Sequence, residues 1–334
     1  LGAALRLYRA GRVNAISLFH SLTALPESRC VMRQYQRLLL IIDQTLHQSP
    51  AMLRAAALAK VCGAALHLCA FVEPPPRNHL WEEVTDEAAS QRYLQRYREW
   101  LLDEAGRLRS QGLEVTTEVV WTTQPLLDML QYVEEFQPDM LIKDVTLEPV
   151  LKRVFVTPLD CHLLRECPVP VHLVNQVRHG LPRRVVAAVD PSNPQTLICG
   201  LNDKIIQTAN ALALQCDAPL HLLYAYDLTP AFNGDAPLAG GSWGSNFMDE
   251  LREALHAAFV TLADQYGVPP ERRHFIMGLP VNVIREFVEE YLADVVVMGT
   301  VHRVGIDRLL GSTTERALYS VPGSILAVKP PSHQ

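Results

Sequence analysis

No two cysteines in this chain are spaced as Cys-x2-Cys; the seven present, Cys30, Cys62, Cys69, Cys161, Cys167, Cys199 and Cys216, are scattered. That argues against a zinc ribbon or a thioredoxin-type redox motif and suits a reducing, cytoplasmic compartment. Cys161, His162 and Cys167 lie close in sequence, but one helix would not bring all three to one face, so structural cysteines and no metal are expected there. No apolar run approaches the roughly 18 residues of a membrane-spanning helix. Also missing are a Walker A Gly-x4-Gly-Lys-Ser/Thr, a Rossmann Gly-x-Gly-x2-Gly and a nucleophile elbow Gly-x-Ser-x-Gly, and with them the usual signs of an enzyme. Positive charge is not in surplus: 30 Lys and Arg face 36 Asp and Glu, a net charge of -6, so no direct nucleic-acid binding is expected.

What is present is enough chain for two domains, 334 residues of which 49% are hydrophobic. Residues 1–31 carry Arg6, Arg9, Arg12 and Arg29 against the single acid Glu27, without the apolar core and cleavage site of a secretory signal. Met32 stands just before the first strand, so the preceding segment reads as an extension, expected to be poorly ordered. The apolar run Arg37-Leu38-Leu39-Leu40-Ile41-Ile42, ending at Asp43, suits a parallel strand buried on both faces. A helix over Pro50–Cys62 follows, with Leu53, Ala57 and Val61 as its expected inner stripe. Residues 65–72 form the second strand, and Leu94, Tyr97, Leu101, Ala105 and Leu108 line one face of a longer helix. A strand over 115–121, a helix over 125–136, a strand over 140–142, a last helix and a strand over 169–174 complete a β-α-β-α-β-α-β-α-β unit.

The order then repeats. Arg37 to Asp43 is answered by Arg184-Val185-Val186-Ala187-Ala188-Val189-Asp190, Leu66-His67-Leu68 by Leu220-His221-Leu222, and Val133-Glu134-Glu135-Phe136 by Val288-Glu289-Glu290-Tyr291. The offsets of 147, 154 and 155 residues, in constant order, indicate two copies of one domain, over 32–176 and 183–330. Gly180 and Pro182 interrupt the pattern between them. In the second copy Met248, Leu251, Leu255, Phe259, Leu262 and Tyr266 form the matching helical stripe, and the Gly-, Pro- and Ser-rich residues 230–246 precede it. The fold class is α/β, as two tandem doubly wound parallel five-stranded sheet domains, with ligands expected at the carboxyl ends of strands where chain order reverses.

The most informative stretch runs from Met298 and Gly299 through His302, Arg303, Gly305, Asp307, Arg308 and Gly311 to Ser312 and Thr313. It reads as a strand end, a glycine-bearing loop and a helix start near Ser312, a combination suited to an anion. Together with Asp190 ending a first strand, and with Thr157-Pro158-Leu159-Asp160-Cys161-His162-Leu163-Leu164-Arg165-Glu166-Cys167-Pro168 in the first copy, this stretch resembles the universal stress protein family, with its adenine nucleotide alpha hydrolase-like fold. The resemblance covers about residues 33–330. Nucleotide-binding members carry Gly-x2-Gly-x9-Gly-Ser/Thr; here Gly299, Gly311 and Ser312 match, His302 stands at the second glycine, and eight residues separate it from Gly311. By position the resemblance places Ala188, Val189, Asp190 and Ala225 beside adenine and ribose, and Met298, Gly299, Gly311, Ser312 and Thr313 along ribose and phosphates, with ATP or AMP as the ligand.

In the first copy the same spacing carries Asp144, Leu147, Thr157 and Pro158; Asp144 would repel phosphate and Pro158 has no N–H to donate, so no nucleotide is expected there. Lys143 is expected to pair with its neighbour Asp144. The resemblance implies that the two domains pair through their fifth strands, residues 169–174 and 324–328, as an internal pseudo-dimer that hides two sheet edges. It also implies a cytoplasmic, non-enzymatic role in surviving stress, including DNA-damaging conditions. The alternatives are a module for an apolar small molecule or a protein partner with a vestigial nucleotide site, and a slow nucleotide hydrolase or transferase.

Overall fold

The computed structural model describes residues 35–74, 87–146, 158–193, 196, 199–228, 245–300 and 313–331. The proposed N-terminal extension, the loop at 230–244 and the loop at 301–312 fall outside them. In the first half the elements are β1 (Arg37–Ile42), α1 (Pro50–Cys62), β2 (Ala65–Val72), α2 (Glu87–Ser110), β3 (Val115–Trp121), α3 (Pro125–Phe136), β4 (Met140–Asp144), α4 (Leu159–Glu166) and β5 (Val171–Val174). The second half repeats them as β6 (Val185–Ala188), α5 (Leu201–Gln215), β7 (Leu220–Tyr226), α6 (Ser245–Gln265), β8 (Arg273–Met277), α7 (Pro280–Tyr291), β9 (Val295–Gly299), α8 (Thr313–Leu318) and β10 (Ser324–Val328).

The ten strands form one sheet in the order β3-β2-β1-β4-β5-β10-β9-β6-β7-β8. Every pairing inside a half is parallel, and the halves meet where β5 and β10 run antiparallel, Leu173 opposite Ile325 and His172 opposite Leu326. His172 and Leu326 are 154 positions apart, the separation that also relates His67 to His221, so an approximate two-fold axis passes through this pair.

Burial on both faces explains the unbroken apolar strands. Leu38, Leu40 and Ile42 of β1 face a core shared with Leu58 of α1, Leu101 of α2, Ile206 of α5 and Phe259 of α6. Leu39 and Ile41 face the opposite core with Val133 of α3, Leu163 of α4, Phe287 of α7 and Leu318 of α8. Each half is therefore wound on both sides, as period-two alternation within a parallel sheet requires.

Local chemistry sets the helix limits. α1 starts where the Ser49 hydroxyl accepts from Met52 N at 3.2 Å, with Pro50 in the first turn, and stops at Gly63, whose φ of 64° lies in the left-handed region. Its inner stripe is not the expected one. Leu53 and Val61 are 53% and 43% exposed, while Ala51, Ala55, Leu58, Ala59 and Cys62 are buried. The helix is apolar on nearly every face, so periodicity left its rotation undetermined, and packing turned inward the side that carries Ala51, Ala55 and Ala59 together with Met52, Arg54 and Leu58. The linker covers part of the outer face: a Cβ on Gly180 would lie 3.1 Å from the Cβ of Ala57.

Candidate functional site

In the second half, α5 leaves the end of β6 on one face of the sheet, and α7 reaches the neighbouring β9 from the other. The crevice between these strand ends is the switch point at which α/β sheets bind ligands. A cavity of about 390 Å³ opens there.

Seven of the nine residues selected from the sequence line this cavity: Ala188 at the end of β6, Val189 and Asp190 after it, Ala225 on β7, Met298 and Gly299 at the end of β9, and Thr313 at the start of α8. Gly311 and Ser312 lie outside the described residues, as do His302, Arg303, Asp307 and Arg308. The strand is shorter than its apolar run suggested, ending at Ala188, so Asp190 stands two residues into the turn.

The turn is held from the helix. Asn202 in the first turn of α5 accepts from Asp190 N at 3.0 Å and donates to Asp190 O at 2.9 Å, standing in for a strand neighbour where the ladder has ended. The Thr196 hydroxyl also donates to Asp190 O, at 2.7 Å. Ser192 donates to Asp190 Oδ1 from its N–H at 3.1 Å and its hydroxyl at 2.7 Å, which orients the carboxylate. Below the turn, burial pushes the Tyr224 phenol up, a hydrogen bond from Ser192 opposes this, and the Asp190 charge adds to it.

Sequence reasoning missed Asn202 and Thr196, which line the cavity beside Asp190. The available signal was a polar pair six residues apart around a helix start, too common to single out. It also missed the apolar walls Leu201 and Ile284 and the exposed Arg316 at the rim. Gly299 has a use beyond backbone approach to a ligand: a Cβ there would sit 2.5 Å from Leu201 Cδ2, so the missing side chain is what allows α5 to pack against β9.

The first half differs at the matching place. Asp144 ends β4 as Gly299 ends β9, and its Oδ1 accepts from Ala51 N at 2.8 Å, so a first-turn donor of α1 is occupied by the protein's own carboxylate. Burial raises the Asp144 pKa, against hydrogen bonds from Ser49 and Ala51. The expected Lys143–Asp144 side-chain pair does not form. Lys143 Nζ instead reaches the fully buried Asp160 at 2.9 Å, the backbone oxygen of Asp144 at 2.9 Å and Thr146 Oγ1 at 2.7 Å. Adjacent strand residues point to opposite faces, so the lysine finds its partner on α4 instead. Among the described residues there is no metal-ligand cluster and no helix long and apolar enough to cross a membrane.

The architecture is thus a tandem doubly wound α/β protein with a ligand-sized crevice at the switch point of its second half. The universal stress protein family model matches residues 34–175 and again 182–329, and the chain belongs to that family of stress-response proteins. It is 29% identical to universal stress protein E of Escherichia coli strain K12 over 311 residues, covering 91% of this chain and 96% of that one. A solved protein of unknown function from Pseudomonas aeruginosa PAO1 is 25% identical, with a TM-score of 0.67, covering 90% of this chain and 94% of that chain. A universal stress protein solved in complex with cAMP is 22% identical, over 45% of this chain and 98% of that one, with a TM-score of 0.29.

Proposed function

We propose that the second half is a receptor for one adenine nucleotide, ATP or AMP, which it senses or stores without turning it over. The observation that carries this reading is the meeting of Asp190, Ala225, Met298, Gly299 and Thr313 around one cavity of about 390 Å³. They come from four separate segments, and a pocket of this size falls in the usual range for small-ligand sites. Ala225 and the apolar walls suit a base, the oriented Asp190 carboxylate suits ribose hydroxyls, and Arg316 supplies positive charge at the rim.

In this reading the first half is architectural, and the antiparallel β5–β10 pairing supports its description as the other member of an internal pseudo-dimer. Family membership supports a cytoplasmic role in surviving stress, including DNA-damaging conditions.

The test is mass spectrometry of small molecules released from gently purified protein, followed by calorimetric titration with ATP and with AMP. One adenine nucleotide per chain is expected, lost in Ala225→Trp, which fills the base side of the cavity, and in Gly311→Asp. Absence of nucleotide, or an apolar molecule whose binding ignores both substitutions, overturns the reading and favours the apolar-ligand alternative.

A further inference from the structure

α8 has six residues, under two turns, and so short a helix has little stability of its own. Its position comes from what holds it. On the cavity side, Thr314 Oγ1 donates to Gly299 O at 2.8 Å. On the other side the contact is with the opposite half of the molecule. Arg165 of α4 donates from Nε to Glu315 Oε1 and from Nη2 to Glu315 Oε2, both at 2.6 Å, a two-pronged arrangement that fixes direction as well as distance. The Glu315 side chain is only 9% exposed. The hydrogen bonds and charge of Glu315 in turn raise the Arg165 pKa.

The contact has a counterpart across the two-fold axis. Arg165 and Tyr319 are 154 positions apart, as are Cys161 and Glu315. The Cys161 Sγ to Tyr319 hydroxyl contact, 3.8 Å, is therefore the symmetry copy of the Arg165–Glu315 pair. Only one copy carries charge, and it runs from the half with the occupied strand end to the helix that walls the open cavity. Glu315 does not line the cavity, but its neighbours Thr313, Thr314 and Arg316 do.

We propose that Arg165 is a positioning residue for the second-half site: by gripping Glu315, the first half fixes α8 as one wall of the cavity. Occupancy of the cavity and packing of the two halves are then coupled. This inference rests on the adenine-nucleotide reading for its ligand but not for the placement of α8. Because coupling is reciprocal, a ligand against α8 tightens α4, although α4 lines no part of the cavity.

The test is hydrogen exchange by mass spectrometry on the full chain with and without AMP, beside calorimetric titration with AMP. In Arg165→Met, amide exchange over residues 313–318 is expected to rise about tenfold and AMP affinity to fall about tenfold, or ~1.4 kcal/mol. The charge exchange Arg165→Glu with Glu315→Arg is expected to recover most of both losses, and AMP is expected to slow exchange in α4 of the unaltered protein. Arg165→Lys, which keeps the charge and loses the two-pronged geometry, is expected to fall between, and it replaces Arg165→Met if that variant does not fold. Unchanged exchange over 313–318 in Arg165→Met overturns the proposal. So does a loss that the charge exchange does not recover and that comes without protection of α4 by AMP. If the unaltered protein binds no AMP, the nucleotide reading fails, and exchange over 313–318 with its recovery in the exchanged pair decides the positioning role alone.

Discussion

Replacing Gly299 by alanine should both destabilise the second half and impair its cavity. The added methyl would lie 2.5 Å from Leu201 Cδ2, 2.8 Å from Cγ and 2.9 Å from Cδ1. Carbon atoms pack favourably at about 3.5–4.0 Å, so all three contacts are repulsive. Because Cγ is included, turning the terminal methyls does not relieve the clash; the whole side chain must swing, or α5 must retreat from β9. Leu201 is 3% exposed and borders the cavity, so the open direction for it is into that cavity. Overpacking of this kind costs about 1–3 kcal/mol. Leu201→Ala alone should cost about 2 kcal/mol, at the low end for truncating a buried leucine because a cavity already adjoins it. Combined, the two changes should be less harmful than their sum by about 1 kcal/mol, since each removes the other's problem. Urea denaturation of the four proteins measures this, and calorimetry with AMP should show weaker binding in Gly299→Ala with partial recovery in the double variant. A fully stable Gly299→Ala protein, or strict additivity, would refute the close approach of Leu201 to the strand end.

Two further outcomes follow from buried charge and buried imidazole. Lys143→Met leaves the fully buried Asp160 without its cation and should cost about 3 kcal/mol in a denaturation experiment, whereas Lys143→Met with Asp160→Leu should cost less than that single change. Burial and the nearby Arg54 charge push His172 down to about 3, and burial with neighbouring His221 pushes His274 down to about 4. Folding favours the neutral ring in both, so their stabilising contribution is full above about pH 6.5 and is lost as pH falls towards those values. His172→Leu, matching Leu326 across the strand pair, should therefore flatten the acid side of the stability profile by about 1.5 kcal/mol between pH 6.5 and 5, read from denaturation midpoints. An unchanged profile would mean that His172 is not held neutral in the seam.

The elements and their kind follow from local patterns along the chain. Strands buried on both faces must be apolar throughout, so β1 and β2 were legible to the residue, and the helix over Pro50–Cys62 between them was placed within the same limits. Repetition in the same order made the tandem architecture legible, and the resemblance to the universal stress protein family, carried over by position, picked out seven residues that line the crevice. Features that depend on neighbours distant in the chain emerge only with packing. An alanine-rich helix has no preferred face until a sheet selects one, so Leu53 and Val61 were misjudged. A lysine beside an aspartate is not thereby its partner, because alternation along a strand separates them and brings Asp160 to Lys143 instead. Asn202 becomes part of the cavity lining only once α5 lies over the turn at Asp190, and Glu315 meets Arg165 only because β5 and β10 align antiparallel and bring α4 to α8. Local chemistry along the chain sets secondary structure and its order, while contacts across 150 residues are set by the sheet that gathers those elements.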